Sequence, residues 1–99
     1  MTDKTYTEDL NRFFQAILAL ETEEDCVAFF DDICTIKELK DITQRLKVAT
    51  MLKNKCSYQE VADTTSASTA TICRVSKCLH YGPGGYKKIL DKIEGGEKK

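Results

Sequence analysis

The chain has 99 residues, 41% of them hydrophobic and 31% charged, with a formal net charge of −1 at pH 7. This balance predicts one soluble globular domain with a modest core. No apolar run is long enough for a membrane span or a signal peptide, so we expect a cytoplasmic protein.

The net charge hides an asymmetry along the chain. Residues 1–35 carry nine acids and two bases, a net of −7, whereas residues 36–56 carry six bases and two acids, a net of +4. Residues 57–80 are balanced at two and two, and residues 81–99 hold five bases against three acids. The acidic and basic parts therefore lie at opposite ends of the chain.

Two amphipathic helices are predicted in the acidic part. The first runs from about Thr7 to Leu20, with capping-box spacing between Thr5 and Glu8. The second begins with the acidic turn after Thr22 and buries Cys26, Phe29, Phe30 and Ile33. The aromatic residues of the two apolar stripes are Phe13, Phe14, Phe29 and Phe30. They must fold back over the third helix in a monomer or pack against a partner in a dimer.

The third helix is the longest and is predicted from the Thr35–Glu38 capping box to about Lys53. Asn54 can adopt a left-handed conformation and end it. Its inward positions are Leu39, Ile42, Leu46, Ala49 and Leu52.

A helix-turn-helix is predicted in the next segment. Ser57 and Glu60 have capping-box spacing, and the small, mostly hydroxyl-bearing residues at 65–68 interrupt the helical pattern. Ser68 or Ala67 opens the second helix, whose apolar positions are Ile72, Val75 and Leu79. A small residue in the first helix, Ala62, and an apolar pair in the second are typical of this motif. Because such motifs usually read DNA in pairs, a homodimer is favoured.

The segment Gly82-Pro83-Gly84-Gly85 ends the second helix of this motif. A last helix is predicted at Tyr86–Ile93. No segment alternates with a period of two, so the fold class is all-α with six helices. We expect one domain, 1–99. Its parts are dimerisation helices at 7–34, a long central helix at 35–56, the helix-turn-helix at 57–80 and a C-terminal helix at 84–94.

The exposed side of the motif supplies candidate DNA contacts. A helix N-terminus and hydroxyls suit phosphate, and small side chains can approach base edges. The candidates are Gln59, Ser68, Thr69, Ala70, Thr71, Cys73, Arg74 and Lys77. Lys47, Lys53 and Lys55 can add phosphate attraction. The alternatives are that the hydroxyls only cap a helix, that Gln59 and Lys77 are solvated, and that Arg74 forms a structural salt bridge.

Three stretches carry a family resemblance: ITQRL, VATML and CSYQEVADTTSASTATICRVSKCL. They are similar to the Trp repressor superfamily, above all to its TrpR-related YerC/YecD-type branch, over roughly Cys34–Leu79. The resemblance implies an intertwined homodimer of six-helix chains that binds successive major grooves of double-stranded DNA and represses transcription. It also implies that Arg45 and Arg74 sandwich a corepressor. Val75 stands where the tryptophan-binding repressor has a glycine, so either another small ligand, such as an amino acid, binds or none does.

The sequence offers no catalytic or metal constellation. It has one histidine, and no paired carboxylates or supported nucleophile, so we expect no enzyme. The five cysteines, Cys26, Cys34, Cys56, Cys73 and Cys78, are odd in number and include no CxxC pair. They predict reduced thiols and no metal, since Cys73 and Cys78 lie on different faces of a helix; His80 favours the helix dipole.

Two functions from different classes remain. The first is a homodimeric DNA-binding regulator, a repressor that reads a pseudo-palindromic operator, with or without ligand control. The second is a helical dimeric protein-interaction module in which the helix-turn-helix is a packing device.

Overall fold

The computed structural model describes residues 4–95, which form six α-helices and no strand. The prediction of an all-α, six-helix chain is therefore confirmed. The helices are α1 (Lys4–Leu18), α2 (Glu23–Ile33), α3 (Ile36–Lys53), α4 (Tyr58–Thr65), α5 (Thr69–Tyr81) and α6 (Gly85–Gly95). The described part of Met1–Ile36 forms one compact unit, and that of Lys37–Lys99 forms another. None of the helices in the described range is long and apolar enough to cross a membrane.

The first unit contains α1 and α2, whose ends differ in part from the prediction. Helix α1 begins at Lys4, so Thr5 lies inside its first turn and the predicted Thr5–Glu8 capping box is wrong. Lysine is among the better helix formers, and the helix starts earlier than the capping pattern indicated. At α2 the prediction is confirmed, because the side chain of Thr22 accepts a hydrogen bond from the backbone nitrogen of Asp25 at 3.0 Å.

No side chain of α1 or α2 is buried within the chain. Within the single chain Phe29 and Phe30 are only half-buried and Ile33 is exposed, so the chain itself does not provide the predicted burial of this stripe. The rings nevertheless pack together: Phe13 stacks on Phe29 with centroids 6.3 Å apart, and Phe29 meets Phe30 edge-on at 5.3 Å. Two helices can cover only one side of each other, so the stripe keeps an open apolar side.

The second unit begins with α3, which ends at Lys53 in a Schellman motif. The backbone nitrogen of Cys56 donates to the carbonyl of Met51 and that of Lys55 to the carbonyl of Leu52, both at 3.0 Å. The left-handed residue is Lys55, with φ 71°, and not Asn54 as predicted. Because the helix extends to Lys53, Asn54 is the last half-helical residue and the left-handed position comes one residue later.

The core of the second unit joins α3 to α4, α5 and α6. Its buried residues are Val48, Ala49, Val61, Ala67, Ile72, Val75 and Leu90. Of the predicted inward positions of α3, Ala49 is buried, Leu39 and Leu52 are half-buried, and Ile42 and Leu46 are exposed. The core instead uses Val48, because α4–α6 pack on the C-terminal half of α3 at a slightly rotated face.

Helix α6 is tied to α3 by burial and by charge. Leu90 is fully buried, and Nζ of Lys53 lies 3.1 Å from Oδ1 of Asp91 and 3.8 Å from Oε1 of Glu94. The connection to α5 turns at Gly84, whose φ of 96° suits only glycine. These contacts place Tyr86 and Lys87, at the start of α6, beside α5.

Candidate nucleic-acid interface

The segment Ser57–Tyr81, called the α4–α5 unit below, lies where the sequence predicts a helix-turn-helix. The N-terminus of its first helix, α4, is stabilised by the predicted capping box. Oγ of Ser57 accepts from the backbone nitrogen of Glu60 at 3.1 Å, and Oε1 of Glu60 accepts from the backbone nitrogen of Ser57 at 2.7 Å. Val61 is then fully buried in the core.

The turn between α4 and α5 is defined by hydroxyl side chains. Ser66 is left-handed, with φ 61° and ψ 18°, and its backbone nitrogen donates to the carbonyl of Ala62. Oγ1 of Thr65 donates to the carbonyl of Val61 at 2.8 Å and accepts from the backbone nitrogen of Ala67 at 3.1 Å. These bonds take up backbone groups that a helix end would otherwise leave unpaired.

Gln44, which belongs to α3, also holds this turn through a hydrogen bond. The sequence did not predict this role of Gln44. Its Nε2 donates to the carbonyl of Thr65 at 3.0 Å, and the bond is partly buried. The partner is a backbone carbonyl 21 residues further along the chain, so no spacing rule identifies the pair. A glutamine inside the helical pattern of α3 was the only signal.

Helix α5 opens at Ser68, which decides between the two predicted starts. Oγ of Ser68 accepts from the backbone nitrogen of Thr71 at 3.1 Å and donates to Oγ1 of Thr71 at 3.1 Å. Ala67 has no side-chain oxygen that could accept this bond, and it is buried in the core instead. The backbone amides of Thr69 and Ala70 belong to the first turn, where helical amides have no intrahelical acceptor.

The candidate DNA contacts on α5 share one side of the helix. Their spacing of four residues places them on neighbouring turns. The exposed members are Ser68, Thr69, Ala70, Cys73, Arg74 and Lys77, while Thr71 is half-buried. Ile72 and Val75 are buried on the other side and hold α5 on the core. We call the exposed set the α5 face.

The other polar candidates are distributed differently. Gln59 is exposed on α4, and its Nε2 donates to Oδ1 of Asp63 at 2.9 Å. Lys47 and Lys55 are exposed, but Lys53 is engaged with the carboxylates of α6. Lys53 is therefore a poorer source of phosphate attraction than the sequence indicated.

Arg45, Arg74 and Val75 line a single cavity of about 460 Å³. Thr71 and Cys78 of α5 and Tyr86 of α6 complete its wall. Among residues 4–95 no ion pair involves Arg45 or Arg74, so the alternative of a structural salt bridge for Arg74 has no support there. The sequence did not predict that Tyr86 lines the same cavity as the two arginines.

Comparison with known proteins identifies the family. The family model described as Trp repressor protein matches residues 8–94. The chain belongs to the Trp repressor family. Its resemblance to that family is thereby confirmed, and it extends well beyond the segment 34–79 that carries the clearest motifs.

Relatives within the Trp repressor family agree in sequence and in fold. The uncharacterized protein YerC of Bacillus subtilis strain 168 is 45% identical over 92 residues, which is 93% of this chain and 88% of YerC. A crystal structure of a proposed Trp repressor from Staphylococcus aureus is 44% identical, covers 87% of this chain and 86% of its own, and superposes with a TM-score of 0.84. A TrpR-like protein from Eubacterium eligens ATCC 27750 is 40% identical, with 93% and 95% covered and a TM-score of 0.86.

The cysteines of this Trp repressor family member are free thiols. Cys73 is exposed and the other four, Cys26, Cys34, Cys56 and Cys78, are half-buried. Within the described residues no group of three potential ligands is placed to hold a metal ion. His80 lies in the last turn of α5, where Nδ1 donates to the carbonyl of Ser76 at 2.8 Å.

Proposed function

We propose that this protein is a homodimeric, sequence-specific DNA-binding regulator, and specifically a repressor. The α5 face carries the proposal: a capped helix start with small exposed residues, followed on the same side by Arg74 and Lys77. Membership of the Trp repressor family supports the proposal, because the family's name describes this activity.

The α5 face divides the work of recognition by chemistry. Thr69 and Ala70 are short enough to let the helix start approach base edges in a major groove, and an alanine methyl fits against a thymine methyl. Arg74 and Lys77 supply positive charge for phosphates or base acceptors. Since the α4–α5 unit itself balances two acids and two bases, phosphate attraction must also come from neighbours such as Lys47.

The experiment is selection of genomic fragments by the purified protein, followed by fluorescence anisotropy on the enriched fragments. We expect the fragments to share a pseudo-palindromic motif with two protected half-sites about one helical turn apart. The logarithm of the binding constant should fall linearly with the logarithm of the salt concentration. Thr69→Glu should abolish this binding, because a carboxylate at the helix start repels phosphate. Lys92→Gln lowers the net charge by the same amount at an exposed position of α6 and should leave the affinity nearly unchanged.

A different result would count against DNA reading. If the enriched fragments share no motif and the affinity does not change with salt concentration, the result would favour the alternative of a protein-interaction module. The same holds if Thr69→Glu binds like the wild type while its fold, measured by circular dichroism, is intact.

The Arg45–Arg74 cavity is the proposed site of ligand control. Two guanidinium groups without ion-pair partners in the described chain suit a planar or carboxylate-bearing effector. Val75 lines the cavity and reduces the room for an indole, so we expect no response to tryptophan. A thermal-shift screen of amino acids should find a ligand whose stabilisation is lost in Arg74→Gln and retained in Lys40→Gln, a control at an exposed position of α3. Stabilisation by tryptophan would contradict the argument from Val75.

A further inference from the structure

A second cavity lies on a different side of α5 from the Arg45–Arg74 cavity, with no lining residue in common. Its volume is about 560 Å³, within the usual range for small-molecule sites. The end of α3, the start of α4, the last turns of α5 and the start of α6 all contribute to its wall. We call it the Lys55–Lys87 cleft after the two cations that distinguish it.

The charges of the cleft favour an anion. Its acid, Asp91, is paired with Lys53 at 3.1 Å, and the same ammonium lies 3.8 Å from Glu94, so the two carboxylates keep one negative charge against the two positive charges of Lys55 and Lys87. The ion pairs among residues 4–95 do not involve Lys55 or Lys87, which therefore leave the cleft with positive charge. Two ammonium groups with this freedom can bind a phosphate or carboxylate by charge-assisted hydrogen bonds.

The rest of the wall favours an apolar body attached to that anion. Tyr58 lines the cleft and is 47% exposed. Leu52 and Leu79 are half-buried and form apolar wall beside it. An aromatic ring can pack against these side chains while its charged group faces the lysines.

The backbone of Lys55 is an independent sign that this position is constrained. Its φ of 71° lies in the left-handed region, at the helix-ending position where glycine is the usual residue. Two hydrogen bonds of the Schellman motif fix the backbone on either side of its side chain. A lysine held there projects from a fixed point, which lowers the entropy lost when it binds a ligand.

We propose that the Lys55–Lys87 cleft binds a small anion carried on an aromatic ring. The proposal does not rest on DNA binding or on the Arg45–Arg74 cavity, because it uses different residues. It gives the α4–α5 unit a second ligand site, in contact with both of its helices through Tyr58 and Leu79.

The test is a titration of the full ¹⁵N-labelled protein with phenyl phosphate, without DNA, followed by ¹H–¹⁵N correlation spectra. We expect the largest shift changes at Tyr58, Ser76, His80 and Lys87. Lys55→Gln and Lys87→Gln should each weaken binding by about fivefold. Lys92→Gln, a matched change elsewhere on α6, and Arg74→Gln should bind like the wild type. Inorganic phosphate and phenol, which lack the ring and the anion respectively, should each bind more weakly than phenyl phosphate.

Two results would overturn the proposal. One is a set of shift changes centred on Arg45 and Arg74. The other is phenyl phosphate binding that the two lysine variants leave unchanged. Because the titration contains no DNA, failure here leaves the proposed regulator untouched.

Discussion

Two residues of the described chain, Lys55 and Ser66, have positive φ without being glycine; Lys55 lies between α3 and α4, and Ser66 lies directly after α4. A side chain in the left-handed region costs about 1 kcal/mol relative to glycine. The chain therefore carries local strain on both sides of the first helix of the α4–α5 unit. The core residue Val61 and the hydrogen bonds of Thr65 and Gln44 offset it.

Ser66→Gly should relieve this strain and stabilise the protein. We expect the free energy of unfolding to rise by about 0.5–1 kcal/mol, reduced by the greater freedom of glycine in the unfolded chain. Urea denaturation measures it. Ser57→Gly is the control, because Ser57 has an ordinary extended conformation and a capping side chain, so its loss should not stabilise. If Ser66→Gly unfolds more easily than the wild type, the side chain of Ser66 has a role that its backbone strain does not reveal.

At the scale of elements, the precise length of α5 matters because its start carries the α5 face and its end directs the chain into α6. Ser68 sets the start and Gly82 the end, where the backbone nitrogen of Gly82 donates to the carbonyl of Cys78. A Cβ added at Gly82 would lie 2.5 Å from that same carbonyl oxygen. The oxygen belongs to a helical backbone and cannot move away cheaply.

Gly82→Ala should therefore destabilise the protein, by about 1–3 kcal/mol. The cost comes from steric overlap, since φ at Gly82 is an ordinary −79°. Gly85→Ala is the matched control: nothing lies within 4 Å of its added Cβ, so it should be neutral or slightly stabilising at the first residue of α6. Equal melting temperatures for the two variants, measured by circular dichroism, would show that the close approach at Cys78 is not maintained in solution.

An element could be predicted from the sequence when the residues that determine it are close together in the chain. The caps at Thr22, Ser57 and Ser68 depend on residues three positions apart, and all three were predictable, with Ser68 as one of two possible starts. The misplaced left-handed residue at Asn54 shows the limit: α3 ends at Lys53 as predicted, but Asn54 is its half-helical cap, and the left-handed position falls one residue later, at Lys55. Val48 and Gln44 depend on how α4–α6 pack against α3, and local spacing contains no information about that packing.

The candidate sites follow the same division. The exposure of Thr69, Cys73 and Lys77 follows from helical periodicity once α5 is placed. The pairing of Arg45 with Arg74 around one cavity came from family resemblance, since the two lie on different helices. The Lys55–Lys87 cleft was not predictable in either way, because it depends on the docking of α6.

For the whole molecule, the unit formed by α1 and α2 carries an apolar surface that is exposed in a single chain. It buries no residue, and its large apolar side chains Phe14, Leu18, Val27 and Ile33 are exposed. An apolar surface of this kind marks an interface. We infer that it is the dimerisation surface, together with the aromatic cluster of Phe13, Phe14, Phe29 and Phe30. A dimer would also provide the pair of α5 faces that two half-sites require.

Leu18→Lys tests this inference with little risk to the fold of one chain. Leu18 is 83% exposed at the C-terminal end of α1, where a lysine is favourable for the helix dipole. If a partner covers it, burying a charge in place of a leucine should weaken dimerisation by about tenfold or more. Sedimentation velocity over a concentration series measures the change.

Tyr81→Lys is the matched control, because Tyr81 is 85% exposed at the C-terminal end of α5, outside the α1–α2 unit. We expect the wild type and Tyr81→Lys to sediment as dimers, and Leu18→Lys to dissociate at concentrations where they do not. Dissociation should also remove protection of the second half-site in a footprint, because each α5 face would then bind alone. A monomeric wild type, or dissociation by Tyr81→Lys but not by Leu18→Lys, would contradict the assignment of α1 and α2 to the dimer. In the first case the exposed phenylalanine stripe would need a different partner; in the second, the interface would lie at the end of α5.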